Sequence, residues 1–236
     1  MGGEKIMVIG IIGAMDKEIN ELKGRTKIDE ITKKAEMEFC SGKLLDKDVV
    51  IVKSGVGKVN AAVCTQILID SFNVQCVINT GIAGGVKACI KPGDVVISKD
   101  LVYHDVDGTA FGDRLGQVPN MNVFNFEADD FLIQLAVKAA KTNNEINIFL
   151  GRIVSGDQFI ADHSKLEFLR DNFDACAVEM EGTAIAHTCY LNKIPFVIIR
   201  SISDSADGSA HMDYEKFQSI AIKNSVQILL NMIKEL

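Results

Sequence analysis

The sequence predicts a single α/β domain with a mixed, mostly parallel central sheet that is flanked by helices. Short apolar runs alternate along the chain with stretches of helical periodicity, which is the pattern of a mainly parallel sheet. Several of these runs, such as 49–52 and 196–199, are apolar on both faces, as is typical of strands covered by helices on two sides. No linker interrupts the 236 residues, so we expect one domain over 1–236, with residues 1–6 as an extension ahead of a natural start at Met7.

Seven strands and six helices are predicted. The strands are 6–13, 35–41, 48–54, 75–80, 94–102, 147–154 and 195–203. The helices are 16–24, 58–71, 128–142, 163–171, 179–191 and 213–234. The segment 103–127 is predicted to be a long loop, because it combines several glycines with Pro119. Loops of this length in compact domains often contact ligands or partners, so we expect such a role here.

Composition and charge exclude several classes of protein. The chain carries 25 Lys and Arg against 32 Asp and Glu, and this net charge of −7 argues against nucleic acid as a partner. It has no run of 18 apolar residues, so we expect no membrane span. The six cysteines form no C-x-x-C pair, and the four histidines have no metal-ligand spacing. We therefore expect a cytoplasmic protein with free thiols and with neither metal nor cofactor.

The residues that follow the predicted strands indicate one ligand site. In an open α/β sheet, ligands bind beyond the carboxyl ends of the strands. Glycines, carboxylates and one aromatic residue collect at that edge, in segments 13–18, 55–58, 81–85, 155–160, 179–182 and 204–208. Neither G-x-x-x-x-G-K-S/T nor G-x-G-x-x-G occurs in the chain, which excludes a P-loop and a dinucleotide fingerprint. The glycines instead predict backbone that passes close to a small ligand.

Each candidate residue also has an ordinary structural interpretation. Glu18 and Glu181 stand near predicted helix starts, where acidic side chains interact favourably with the helix N-terminus. Arg200 and Asp204 end a very hydrophobic strand, and a buried ion pair in which Arg200 orients Asp204 is the simplest interpretation of the two. Phe159 taken alone would be assigned to the core. The residues by themselves leave these alternatives open.

Eight motifs, in order along the chain, carry a family resemblance. They are GIIGAM (10–15), KSGVGKVN (53–60), NTGIAGG (79–85), YHDVD (103–107), TAFG (109–112), SGD (155–157), VEME (178–181) and RSISD (200–204). On these motifs the chain resembles the 5′-methylthioadenosine/S-adenosylhomocysteine nucleosidase family of the nucleoside phosphorylase superfamily. The match runs from about residue 6 to the C-terminus. It implies the nucleoside phosphorylase-like fold and a homodimer.

The resemblance also implies an activity. A member of this family is a purine nucleosidase that cleaves the N-glycosidic bond of 5′-methylthioadenosine and S-adenosylhomocysteine, and of 5′-deoxyadenosine as well. The products would be adenine and the 5′-substituted ribose, in methionine salvage and the recycling of S-adenosylmethionine by-products. Glu18 would activate the attacking water, Asp204 would protonate adenine, and Arg200 would give support. The implied substrate-binding residues are Gly84, Ala83, Phe159, Ile160, Met180, Glu181, Ser203, Met15, Val56 and Tyr214, joined by Phe111 and Pro119 from the partner subunit.

The charge of the first loop favours hydrolysis over phosphorolysis. Cleavage builds positive charge on the ribose, which carboxylates stabilise, and negative charge on adenine, which a protonated acid neutralises. A phosphate nucleophile needs a basic pocket, whereas the first loop reads Asp16-Lys17-Glu18 and would repel a phosphate dianion more than hold it. Water is then the available nucleophile.

Three other functions remain open at the level of sequence. They are a related nucleoside hydrolase of the futalosine type, a nucleoside phosphorylase, and a non-catalytic nucleoside-binding protein. The non-catalytic protein is disfavoured because Glu18, Glu181 and Asp204 are all present. The preferred 5′ substituent stays open, because three positions depart from the family's pattern: Ile82, Gly108 and Asp113.

Overall fold

The computed structural model describes residues 7–142, 146–206 and 210–236, the last range with side chains from residue 217 onward. The strands are β1 (Val8–Gly13), β2 (Lys27–Lys34), β3 (Met37–Leu44), β4 (Lys47–Lys53), β5 (Cys76–Gly85), β6 (Val95–Tyr103), β7 (Phe126–Glu127), β8 (Ile148–Ser155), β9 (Ala177–Glu179) and β10 (Phe196–Asp204). The helices are α1 (Asp16–Arg25), α2 (Lys58–Phe72), α3 (Asp130–Ala140), α4 (His163–Phe173), α5 (Gly182–Asn192) and α6 (Ala210–Glu235). A short 3-10 helix spans Thr109–Phe111.

The sheet is mixed, and part of it closes into a barrel. Strands β5, β10, β6, β8 and β9 form a closed ring of pairings, while β1, β4, β3 and β2 extend outward from β5. Five of the pairings between described strands are parallel and five are antiparallel. The prediction of a mostly parallel sheet is therefore not confirmed. One physical reason is that β2, β3 and β4 follow one another through very short turns, which only antiparallel neighbours allow.

Each predicted helix and strand has a counterpart, with boundaries that differ by a few residues, whereas three strands were missed. Strand β2 is almost entirely exposed at the sheet edge, so its charged sequence shows no apolar face. Strands β7 and β9 have only two and three residues, too few for a periodic signal. Because β9 takes up Glu179, helix α5 begins at Gly182 rather than at 179.

The closing of the sheet brings several chain segments to one edge. Every residue of β5 and of β10 is buried, and these two strands pair in parallel with β1 next to them. Their carboxyl ends, at Gly13, Gly85 and Asp204, therefore share one edge. The first turns of α1, α2 and α5 lie at the same edge and supply backbone N–H groups to it. No helix in the described ranges has the length and apolar character that crossing a membrane requires.

Candidate active site

A pocket of about 670 Å³, partly open to solvent, lies at the carboxyl ends of β1, β5 and β10. Its walls are formed by Ala14, Met15, Glu18, Val56, Ile82, Ala83, Gly84, Phe159, Val178, Glu179, Met180, Glu181, Ser203 and Asp204. Ten of the predicted site residues are among them. The pocket combines an apolar wall with a few convergent polar groups, as small-molecule sites commonly do.

Glu18 is held at the floor of the pocket by backbone groups. It is the third residue of α1, and its carboxylate accepts hydrogen bonds from the N–H groups of Ala14 (2.7 Å), Met15 (3.0 Å) and Ile82 (3.1 Å). Burial raises the pKa of Glu18 above its usual value, while Arg200 and the three N–H groups act in the opposite direction. Both interpretations of Glu18 are therefore correct. The start of the helix fixes the carboxylate, and the same carboxylate lines the pocket.

The glycine-rich end of β5 allows this arrangement. A Cβ at Gly81 would lie 2.6 Å from Oε1 of Glu18 and 3.4 Å from Nη1 of Arg200. Only glycine leaves room for the carboxylate at this point. The sequence predicted that backbone at these glycines passes close to a ligand. At Gly81 the backbone instead passes close to the buried carboxylate of Glu18.

Arg200 pairs with Glu179 and not with Asp204, which corrects the simplest interpretation of the sequence. Its Nη2 donates to Oε2 of Glu179 at 2.6 Å and to Oδ1 of Asn79 at 2.5 Å. The register of β10 against β5 shifts between Ile202 and Asp204, so the end of the strand does not continue the regular alternation. Arg200 therefore does not line the pocket itself but binds Glu179, which does.

Glu179 was missed as a site residue. Its carboxylate also accepts hydrogen bonds from Ser155 Oγ, from Glu181 N–H (3.0 Å) and from Gly182 N–H (2.8 Å) at the start of α5. With Arg200, these donors engage both oxygens. The signal in the sequence was the pair of acids in an apolar segment, but that pair does not tell which acid anchors the fold and which faces the ligand.

Glu181 faces the pocket with fewer partners. Its Oε1 accepts a hydrogen bond from the N–H of Gly57 at 2.8 Å, just ahead of α2. Burial, together with the nearby charge of Glu179, raises the pKa of Glu181 to about 8, although Arg200 and the Gly57 N–H lower it. This carboxyl group consequently carries its negative charge at a free-energy cost in the ligand-free protein.

Asp204 is buried at the end of β10 and is oriented by its neighbours. Ser203 Oγ donates to Oδ2 of Asp204 at 2.8 Å, and the N–H of Ala206 donates to Oδ1 at 2.9 Å. Ser203 Oγ also lies 3.4 Å from the carbonyl oxygen of Ala83. The predicted neighbours Ala83, Ser203 and Asp204 are thus brought together.

The remaining predicted residues lie at the margin or outside the pocket. Phe159 lines the pocket and is 55% exposed, so it is not a core residue. Ile160 is buried and lines a separate small cavity next to His104. Phe111 and Pro119 are exposed and lie outside the pocket wall. The side chain of Tyr214 lies outside the described residues. Among the residues described, no group of His, Cys, Asp and Glu is placed to hold a metal ion.

Comparisons with known proteins agree on one family. The sequence profile of the phosphorylase superfamily matches residues 8–234. The 5′-methylthioadenosine/S-adenosylhomocysteine nucleosidase of Staphylococcus carnosus (strain TM300) is 48% identical over 231 residues, which cover 97% of this chain and 100% of that protein. The solved nucleosidase of the same name from Neisseria meningitidis, in complex with methylthio-immucillin-A, has a TM-score of 0.94 and 41% identity, covering 97% and 99% of the two chains. The futalosine hydrolase of Helicobacter pylori strain 26695 has a TM-score of 0.92 and 35% identity, covering 98% and 99%.

The raised pKa of Glu181 predicts how stability depends on pH. Between pH 4.5 and about 8 the folded protein keeps a proton on this carboxyl group that the unfolded chain has lost, so stability falls as pH rises through that window. We expect Glu181→Gln to make the decline between pH 6 and 8 shallower by about 1 kcal/mol per pH unit. Urea unfolding of the ligand-free protein at several pH values measures this.

The exposed Glu30 provides the matched control, since Glu30→Gln should leave the pH slope unchanged. A Glu181→Gln slope that equals the wild-type slope would show that Glu181 ionises normally.

Proposed function

We propose the function of this chain from one premise: it belongs to the phosphorylase superfamily and, within it, to the family of 5′-methylthioadenosine/S-adenosylhomocysteine nucleosidases. The chain is a purine nucleosidase that hydrolyses the N-glycosidic bond of 5′-methylthioadenosine and S-adenosylhomocysteine, which places it in methionine salvage. The observation that carries this function is the grouping of Glu18, Glu181 and Asp204 around one pocket that Phe159 borders. These are the groups that a departing purine and a positively charged sugar require.

Water rather than phosphate is the nucleophile in this proposal. The N-terminus of α2 is the kind of place where a phosphate would bind, but its N–H groups already serve carboxylates. Gly57 N–H donates to Glu181, and Lys58 N–H donates to Asp157 at 2.9 Å. Among the residues described, the pocket wall contains no Lys or Arg, and Arg200 behind it is paired with Glu179. A phosphate dianion would therefore meet negative charge.

Glu18 is the group that we assign to the activation of water. Support comes from its fixed position on the pocket floor and from its raised pKa, because a base works best when its pKa lies near the working pH. Glu181 is assigned to the ribose hydroxyls, where its charge attracts the sugar more strongly as positive charge develops in the transition state. Met180, beside it in the wall, would pack against the sugar.

The purine end of the site is assigned to Asp204 and Phe159. Asp204 would protonate the departing adenine, and its orientation by Ser203 and Ala206 supports this role. Phe159 would stack on the base, while Ala83 and Gly84 would lie beside it and Ile160 would offer its backbone. Met15, Val56 and Tyr214 would contact the 5′ substituent.

The choice of 5′ substituent is the least constrained part of the proposal. Identity to the curated nucleosidases reaches 48%, against 35% to the solved futalosine hydrolase, so futalosine-type hydrolysis is the related alternative. 5′-Deoxyadenosine would also fit a site that recognises adenine, ribose and an apolar 5′ end. The six free cysteines support a location in the cytoplasm.

A homodimer with shared sites is part of the proposal. Phe111, at the end of the 3-10 helix in the long loop, is 90% exposed, and a side chain of this size gains by burial against another surface. In the dimer it would reach the neighbouring subunit's pocket together with Pro119. Sedimentation of a fully active monomer at working concentration would contradict shared sites.

Incubation with candidate substrates tests the function directly. We expect adenine to be released from 5′-methylthioadenosine and S-adenosylhomocysteine at a rate that added phosphate does not change, because the described part of the pocket wall contains no Lys or Arg to bind phosphate. Inosine and futalosine serve as comparison substrates. If thioribose 1-phosphate is the main product, the chain is a phosphorylase, and a preference for futalosine would favour the alternative hydrolase.

Asp204→Asn tests the acid role. The amide keeps the shape of the side chain but cannot transfer a proton, so we expect kcat to fall by about 10²–10⁴. Stacking and ribose contacts remain, so the variant should still bind the intact nucleoside. A purine analogue that leaves without protonation at N7 should lose much less rate. Equal losses for good and poor leaving groups would remove Asp204 from this role.

A further inference from the structure

The segment 156–159 leads from the buried end of β8 to Phe159 in the pocket wall. Asp157, Gln158 and Phe159 are all exposed, and Phe159 in particular is 55% exposed. A side chain that is to stack on a base must nevertheless be held at a fixed height above it. Polar contacts of its neighbours contribute to the position of this segment: Lys165 Nζ donates to Oε1 of Gln158 at 3.0 Å, and the N–H of Gly156 donates to the carbonyl oxygen of Glu179 at 3.3 Å.

The contacts of Asp157 within this segment involve Lys58, the first residue of α2. Its Nζ lies 2.6 Å from Oδ2 of Asp105 and 3.7 Å from Oδ2 of Asp157. The same Asp105 oxygen accepts the N–H of Asp157 at 3.0 Å. The Lys58 side chain is largely buried and lies 5.3 Å from the ring centroid of Tyr103. One ammonium group thus compensates the two carboxylates that hold the segment.

The backbone of the same residue adds a second tie. Lys58 N–H donates to Oδ1 of Asp157, and the preceding Gly57 N–H donates to Glu181. Gly57 has a φ of +99°, and a Cβ there would lie 3.2 Å from the Asp157 carboxylate. The start of α2 therefore binds two carboxylates through adjacent N–H groups, one on the sugar side of the pocket and one next to Phe159.

Asp105 depends on Lys58. Its Oδ1 is buried without a hydrogen-bond partner, so the ammonium group is the main compensation for this charge. Without the ammonium, a half-buried carboxylate would have to move toward water or take up a proton. Either change alters the oxygen that receives the Asp157 N–H.

From this geometry, and resting on the proposed function, we propose that Lys58 is a positioning residue for the active site. Through Asp105 and Asp157 it fixes the segment 156–159 against the N-terminus of α2, and so sets the height of Phe159 above the purine. It does not line the pocket, so we expect it to contact neither the substrate nor the reacting bond. Its removal should therefore weaken purine binding more than it slows the chemical step.

The test compares Lys58→Met with Lys58→Arg, which keeps the charge, and with Lys138→Met as a matched control. Lys138 forms an exposed ion pair with Glu235, away from the pocket. We expect Lys58→Met to raise KM for 5′-methylthioadenosine and Kd for adenine on the order of tenfold, the scale of a lost stacking contact. Its kcat should change less, and Lys58→Arg should recover most of the binding.

A second background decides whether Lys58 acts through Phe159. In a Phe159→Ala protein, adding Lys58→Met should raise Kd for adenine little further, because the stacking ring is already gone. A full tenfold rise in that background, or a Lys58→Met protein that binds like Lys138→Met, would overturn the proposal.

Should Lys58→Met fail to fold, Asp157→Ala removes the same contact from its exposed side and must give the same KM rise. If the wild-type chain binds adenine and Lys58→Met binds it equally well, only this inference is refuted. If the wild-type chain releases no adenine from its substrates, the proposed function is refuted.

Discussion

One guanidinium group stands among four buried carboxylates, and the architecture of the pocket depends on that balance. Glu18, Glu179, Glu181 and Asp204 are each less than a tenth exposed, and of the side chains that the structure describes there, Arg200 is the buried cation. Arg200 pairs directly with Glu179, and its charge also lowers the pKa of Glu18 and Glu181 against the effect of burial. Buried charges of one sign are tolerated only when paired or supplied with hydrogen bonds. The fold meets this requirement with backbone N–H groups at the starts of three helices.

This arrangement separates a carboxylate that anchors the fold from one that faces the pocket. Glu179 uses its oxygens on Arg200, Ser155 and the start of α5, so it holds β9, β10 and α5 together. Glu181, two residues further on, keeps more of its capacity for the pocket. Burial and the charge of Glu179 raise the pKa of Glu181, and a ligand that carries positive charge in its transition state would stabilise the ionised form. The same negative surroundings that favour such a sugar disfavour phosphate, which links the geometry of the site to the choice of water.

The sequence predicted the edge of the sheet where the pocket lies, because glycines and acids after apolar strands are a local signal. Ten of the predicted site residues reach the pocket wall. The sequence did not predict that Arg200 forms its ion pair with Glu179 instead of Asp204, because the pairing depends on a register shift near the end of β10. It also missed the closed barrel, because closure depends on β9, a three-residue strand whose pairings join distant parts of the chain. Strand β2 was not predicted because an exposed edge strand needs no apolar face.

The stability of Arg200→Met as a function of pH tests most directly whether this charge balance organises the pocket. If it does, loss of the guanidinium leaves Glu179 as an unpaired buried charge, which costs on the order of 3–5 kcal/mol. Glu18 and Glu181, whose pKa values Arg200 lowers, then hold protons in the folded state to higher pH, so the loss must be larger at pH 8 than at pH 5, where protonation relieves the repulsion. Urea unfolding at the two pH values should show this divergence, with adenine release abolished at both. A loss of stability that is the same at pH 5 and pH 8 would show that Arg200 only fills space, and would contradict the account.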